Sequence, residues 1–541
     1  MTSTRTSPRR KATDCGRCTA IPTIHSASIA SRPHWDGPDD TRLTHASPAA
    51  GWHGSLLTDR SHRARPDSRR RPTMTDPTEF SIVSLQQAYA KRDLSPVEVV
   101  DSCLARIEAL DPELNAFVGI DADTARRLAR ESEQRWQAQR TLGPLDGIPS
   151  VIKDTMAFKG WPTRKGSRQT DPDKISTEDA PAAARMRESG AVFLGKSTTP
   201  EFGWKGVGDS PLTGITRNPW NTDRTTGGSS AGSAAAVATG MTVVATGTDG
   251  GGSVRMPAAF CGIFGLKPTF SLVPIYPPST GGTLSHVGPM TRTVTDAAAM
   301  MEVIARSDPR EVYPVPDDPR PWVSDVDRGV HGVRIAYSPD YGYAQVDPRI
   351  AAAVERAIRV LGDAGAIIDV IDAPFDDPRE DFCTIWDGML SMALWDVPEQ
   401  RLGDSDPGLV ATLDRGRKLT AHDYLVAEGS RLRLAQALTR VFDSYDLLIS
   451  PQMPTVALPV GTDVWDSEVQ DHWTQWTPFT YPHNLSRCPA ASVPVGLTDD
   501  GLPMAMQIVG RHFEDRLVMR ASRTYESAAG FPMWSPSVLQ H

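Results

Sequence analysis

The sequence reads as an α/β protein in which one β-sheet is covered by helices on both faces. Two observations predict this. Short apolar runs of strand length recur at 149–153, 191–195, 242–248, 333–337, 367–371, 447–450 and 504–509, and helical stretches such as 351–361 lie between them. Strands alternating with helices bury a sheet on both sides. The bulk composition agrees: 39% apolar and 23% charged residues over 541 positions are ample for a full core. The Pro- and Asp-rich stretch 314–321 reads as a surface connection, and no internal repeat is visible, so 74–541 reads as a single large domain.

Residues 1–73 have a different character. They carry 13 Lys and Arg against 6 Asp, and contain no Glu, Val, Phe or Tyr. A segment so poor in apolar surface is expected to be disordered and to serve as a leader without function. Arg9-Arg10-Lys11 suggests a twin-arginine signal, but no apolar segment follows it. Normal patterning begins at Met74. Ser84-Leu85-Gln86-Gln87 reads as a capping box opening a short helix. Ser95-Pro96-Val97-Glu98 repeats the signal with proline at the first helical position. The helix that follows places Val97, Val100, Leu104, Ile107 and Leu110 on one face, and a second, highly charged helix is predicted over 121–139.

Several function classes are excluded. A net charge of −9 offers no footprint for nucleic acid. The uncharged runs 225–248 and 268–291 are too rich in Gly, Ser, Thr and Pro to cross a membrane. Cys15 and Cys18 have no second pair near them, and Cys103, Cys261, Cys383 and Cys488 are scattered, which suits a reduced, cytoplasmic protein. No HExxH and no His/Asp ligand cluster appear, so neither a metal nor an organic cofactor is expected.

Three segments carry chemistry. Gly147-Ile148-Pro149-Ser150-Val151-Ile152-Lys153-Asp154 runs an apolar strand into a lysine. Burial lowers a lysine's pKa and makes the amine a usable base, unless the chain snorkels out or pairs with Asp154. Gly227-Gly228-Ser229-Ser230-Ala231-Gly232-Ser233 precedes an alanine-rich helix; alone it fits a helix cap or an anion cradle. Thr248-Asp249-Gly250-Gly251-Gly252-Ser253-Val254-Arg255 ends a strand in three glycines and a serine. Consecutive N–H groups there can form an anion nest, or simply a turn.

Together, in this order, the three segments resemble the amidase signature family, whose hydrolases use a Ser–cis-Ser–Lys triad. The likeness continues through Pro257-Ala258-Ala259-Phe260-Cys261-Gly262, Gly265-Leu266-Lys267-Pro268-Thr269 and Gly288-Pro289-Met290-Thr291, and spans about 80–530. It implies a mixed central sheet and a bacterial-type amidase. Ser253 is then the nucleophile, Ser229 the proton relay and Lys153 the base. The N–H groups of Gly250, Gly251, Gly252 and Ser253 hold the oxyanion, Ser230 supports the network, and Asp249 and Arg255 brace the loop as an ion pair. Two departures stand out. The family usually has Thr or Ile where Gly250 stands, which predicts a looser oxyanion loop. Phe270-Ser271-Leu272 replaces a usual Gly-Arg where substrate contacts are expected.

A histidine base fits poorly. Five of the twelve histidines lie in the first 73 residues, only His286 falls within the motif region, and no GxSxG frames Ser253. The implied activity is hydrolysis of linear carboxamides to carboxylate and ammonia or amine, with small aliphatic or aromatic substrates. Phe202, Trp204, Val207 and the aromatic stretch 473–481 are candidates for its apolar pocket. A glutamine-hydrolysing component of a tRNA-dependent amidotransferase, or a non-catalytic binding protein on the same fold, are the alternatives. The only ligand expected is a small-molecule amide, with no nucleic acid and no membrane; a homodimer is left open. From the composition of 1–73, a chain beginning at Met74 is expected to keep the full chain's melting temperature and turnover. A large loss of either, measured on the two purified proteins, would refute this.

Overall fold

The computed structural model describes residues 76–529 and 536–539. The expected extension 1–73, with Cys15 and Cys18, and the boundary at Met74 lie outside the described residues. The described residues belong to one compact unit built around an eleven-stranded mixed sheet.

Its strands are β1 (Phe117–Ile120), β2 (Pro149–Lys153), β3 (Val192–Ser197), β4 (Val244–Asp249), β5 (Phe264–Lys267), β6 (His286–Thr291), β7 (Arg334–Tyr337), β8 (Ile367–Val370), β9 (Leu447–Pro451), β10 (Ala490–Leu497) and β11 (Pro503–Gly510). They lie in the order β1-β3-β2-β4-β6-β5-β10-β11-β9-β7-β8. β3, β2 and β4 are parallel, as are β9, β7 and β8, and antiparallel pairing joins these two groups through the centre. All seven predicted strands are present, shifted by no more than two residues at either end. Four were not predicted: β1 and β5 have four residues each, β6 contains Gly288-Pro289, which reads as a turn, and β10 is interrupted by Pro494 and Gly496.

Successive strand residues point to opposite faces, and each face has its own core. Ile335, Leu447, Ile449, Ala491, Met506 and Ile508 join a core shared with the N-terminal helices. Their neighbours Ala336, Leu448, Ala490, Ala505 and Val509 join a second, aromatic core with Phe382, Trp386, Trp473, Trp476 and Tyr481. On β2, β3, β4, β9 and β11 this is why the strands read as unbroken apolar runs, since neither face meets water, whereas the edge strand β8 is largely exposed.

The first helix spans Ile82–Lys91, and its cap is Ser81, whose hydroxyl accepts the Ser84 N–H, rather than the predicted box at Ser84. The second, Pro96–Leu114, has the predicted capping box, with Ser95 and Glu98 bonded reciprocally. Val100, Leu104 and Ile107 are buried on its inner face, with Val97 and Leu110 partly buried against the same core. The charged helix spans Ala122–Gln137. Cys103, Cys261, Cys383 and Cys488 are free thiols, all but Cys383 buried. Among the described residues no helix is long and apolar enough to cross a membrane.

Candidate active site

β2 and β4 run parallel side by side, so the lysine that ends one lies against the loop that leaves the other. Lys153 is fully buried. Its Nζ lies 2.8 Å from Ser229 Oγ, 3.0 Å from Ser230 Oγ and 2.8 Å from Thr248 Oγ1, with the Thr248 carbonyl further off at 3.4 Å. Asp154 does not compete for it: its carboxylate pairs with Lys196 at 2.8 Å. Burial therefore drives the Lys153 pKa well below its ordinary value, and the Asp249 charge offsets this only in part.

Ser229 follows a cis peptide bond from Gly228, and Ser230 precedes the helix Ala231–Ala238. The Ser230 N–H donates to the Ser253 carbonyl at 3.1 Å, which ties the two serine loops together. Gly203 packs against Ser229, where a Cβ would come within 3.0 Å of Ser229 Oγ.

The loop 250–253 is held from within. Asp249 accepts the Gly252 N–H at 2.7 Å and the Val254 N–H at 3.1 Å. The expected ion pair is there too: Arg255 Nε and Nη2 each lie 3.0 Å from the Asp249 carboxylate. Burial alone would raise the Asp249 pKa, but Arg255, Lys267 and Asn484 hold it below the usual carboxylate range. Arg255 also donates to the Thr480 carbonyl, Gln507 and Asn484. This network corrects one expectation. The Gly252 N–H is committed to Asp249 and cannot serve an oxyanion, whereas those of Gly250, Gly251 and Ser253 have no acceptor among the described residues.

Ser229, Thr248, Gly250 and Ser253 line one cavity of about 690 Å³. Lys153 does not reach it. His286 lines it, but its Nδ1 faces the carbonyls of Leu284 and Asp249, at 2.8 and 3.1 Å, and Nε2 has no partner. Burial, with the nearby Lys267 charge, drives its pKa well below the usual value and keeps the ring neutral. Among the described residues no cluster of His, Cys, Asp and Glu could hold a metal ion.

The amidase family profile matches residues 98–519. The chain belongs to the amidase signature family. An acylamidase of Rhodococcus erythropolis is 34% identical over 83% of this chain and 95% of its own length. A glutamyl-tRNA(Gln) amidotransferase component from Chloroflexus aurantiacus is also 34% identical, over 84% of this chain and 97% of its own. Among solved structures, a bacterial aryl acylamidase of the amidase signature family superposes with a TM-score of 0.78 at 31% identity, covering 84% of this chain and 97% of its own.

Against this amidase signature background, the glycine at 250 has a physical reason. A Cβ there would come 3.0 Å from the Trp386 ring. Trp386 lies on the helix Arg379–Leu390, stacked on Phe382 and edge-on to Trp473. The missing side chain is replaced by an indole from a remote helix, so the loop is walled rather than loosened. The other departure also reads differently in three dimensions. Residues 270–272 do not line the cavity; Phe270 packs edge-on to His286, 5.7 Å between ring centroids. The cavity wall is formed instead by 274–281, just beyond.

Of the proposed pocket residues, Phe202 lines the cavity, while Trp204, Val207, Trp473, Trp476, Phe479 and Tyr481 belong to the aromatic core. Thr248 and Trp386 were missed. Thr248 sits within the motif with its hydroxyl on the lysine; no pattern in the sequence links Trp386 to residue 250.

The packing leads to two expectations for variants. Arg255→Met should cost about 3–5 kcal/mol by leaving Asp249 buried and unpaired, measured by urea unfolding. Gly250→Thr should cost about 1–3 kcal/mol through overpacking. Trp386→Leu should relieve that cost, giving a coupling above about 0.5 kcal/mol in a double-mutant cycle; additive costs would refute the contact.

Proposed function

We propose that the chain hydrolyses carboxamides through an acyl-enzyme on Ser253, with Lys153 as base and Ser229 as relay. One observation carries the reading: a buried amine, its pKa driven down by desolvation, is shut off from the cavity, with a hydroxyl 2.8 Å away that lines the cavity. A base that substrate cannot touch needs an intermediary. The other buried lysines do not offer this. Lys196 is paired with Asp154, Lys205 with Asp209 and Asp406, and Lys267 donates to the carbonyls of Pro268 and Cys488.

The protons around Nζ can be assigned on this reading. The Ser230 hydroxyl donates to the Thr248 carbonyl, at 3.3 Å, so its oxygen accepts from Nζ. Thr248 Oγ1 has Thr155 Oγ1 at 3.4 Å as a second partner and likewise accepts from Nζ. The amine's two N–H bonds are then used, and its lone pair faces Ser229. As Ser253 Oγ attacks the carbonyl carbon, its proton passes to Ser229 Oγ, and the Ser229 proton passes to Nζ. The three free N–H groups receive the oxyanion. Reverse transfer through Ser229 protonates the leaving nitrogen, the C–N bond breaks, and water repeats the sequence to release the carboxylate.

The similarity to glutamyl-tRNA(Gln) amidotransferase components favours one second reading, a glutamine-hydrolysing chain that needs partners. Turnover of simple amides by the purified chain alone, without glutamine preference, separates the two. An intact set of three residues counts against a purely binding role.

Ser253→Ala should abolish turnover, and a fluorophosphonate should label Ser253; labelling elsewhere with Ser253 untouched would overturn the assignment. A lowered lysine pKa means the amine is neutral and active at higher pH, and activity falls as pH drops and Nζ takes a proton. Lys153→Ala should remove that acidic limb and slow acylation by about 10²–10⁴-fold, with Lys153→Arg nearly as damaging. Ser229→Ala should resemble Lys153→Ala, whereas Thr248→Val should keep the limb. If a histidine variant removed the limb and Lys153→Ala kept it, the lysine base would be refuted.

A further inference from the structure

The cavity that holds Ser253 also holds a cation the proposed chemistry does not use. Lys165 lines it, half-buried. Its backbone is pinned at the wall on both sides: its N–H donates to the Asp154 carbonyl at 3.1 Å and its carbonyl accepts the Phe202 N–H at 2.7 Å. Phe202 is followed by Gly203, the residue packed on Ser229 Oγ, so this wall adjoins the catalytic serines.

The Lys165 ammonium lies 5.8 Å from the centroid of the Phe202 ring and has no hydrogen-bond acceptor or carboxylate partner among the described residues. The acids around it are already engaged. Asp154 is held by Lys196 at 2.8 Å, and Glu178, at the cavity rim, by Arg310 at 2.8 Å. Asp171, also at the rim, is exposed and accepts the Asp173 N–H. Lys174 adds a second positive charge on the same side. Burial and Lys174 both lower the Lys165 pKa, with Asp154 opposing, as expected of a cation short of an anion. A fixed cation in a mainly apolar pocket is a polar anchor that orients a ligand.

We propose that Lys165 binds a carboxylate carried by the amide substrate, so that the preferred substrates are anionic amides. This rests on the hydrolytic reading of the site. It is tested with two matched pairs, adipic acid monoamide against hexanamide and para-acetamidobenzoate against acetanilide, which carry the charge on the acyl or the amine half. In at least one pair, kcat/KM should favour the anionic member. Lys165→Met, and Lys165→Gln as a second variant, should lower that ratio at least about tenfold, while Lys165→Arg should retain it. In the Ser253→Ala background, calorimetry should show the anionic member binding more weakly by a similar factor once Lys165→Met is added.

Neutral members preferred in both pairs, or ratios unchanged by both neutral variants, would overturn the role of Lys165 while leaving amide hydrolysis intact. Lys165-dependent binding to Ser253→Ala, with no hydrolysis of any of the four by the unmodified chain, would uphold the carboxylate site and overturn the hydrolytic reading. Neither binding nor turnover would overturn both.

Discussion

The arrangement around Ser253 depends on one buried charge pair. Asp249 and Arg255 are wholly inaccessible to water. Desolvating two such charges is costly, and their attraction offsets it only when every remaining donor and acceptor is satisfied. Here that condition is met across three segments, 249–255, 480–484 and Gln507. Asp249 receives N–H groups from its own loop, from Arg255 and from Asn484, while Arg255 reaches Thr480 and Gln507. Thr480 in turn donates its hydroxyl to the Gly251 carbonyl at 2.6 Å. Because Asp249 takes the Gly252 N–H of the glycine loop, the pair also decides which of the loop's N–H groups are left without an acceptor.

The sheet supplies the second condition. With a core on each face, the C-terminal end of β2 delivers a lysine into an interior where charge is disfavoured. β4, its parallel neighbour, ends beside it and turns into the glycine loop. The parallel pairing fixes which strand ends meet, and the hydroxyls of Ser229, Ser230 and Thr248 give the amine polar partners without adding charge. Local backbone, burial and proton affinity are thus consequences of one strand pairing.

Most of this was legible in the sequence, for identifiable reasons. Lys153, Ser229, Ser230 and Ser253 sit in segments whose glycines and serines have no ordinary role in a core, and the structure brings all four together. Most of the seven predicted strands were visible because they are buried on both faces; β8, at the sheet edge, was visible from its apolar run alone although it is largely exposed. What could not be read is what arises only by packing. Gly252 looked equivalent to Gly250 and Gly251 until the Asp249 carboxylate was seen to take its N–H. The aromatic stretch around Trp473 and Tyr481 looked like a pocket because composition does not say which side of a sheet a ring occupies. Trp386 fills the space beside Gly250 from more than a hundred residues away, and no local pattern encodes that contact.

The seclusion of Lys153 has a chemical corollary. A neutral primary amine is a better nucleophile toward an ester than water is, and the amide it forms is more stable than the ester. If Ser253 carries an acyl group as proposed, that group would therefore be at risk of transfer to Lys153, leaving the chain modified on the proposed base. Ser229 and Thr248 stand on the cavity wall with the amine behind them, each hydroxyl 2.8 Å from Nζ. Protons can cross that screen by changing partners, whereas an acyl carbon cannot. On the proposed mechanism the Ser229 hydroxyl connects the amine to the reaction, and together with Thr248 it also insulates the amine from self-acylation.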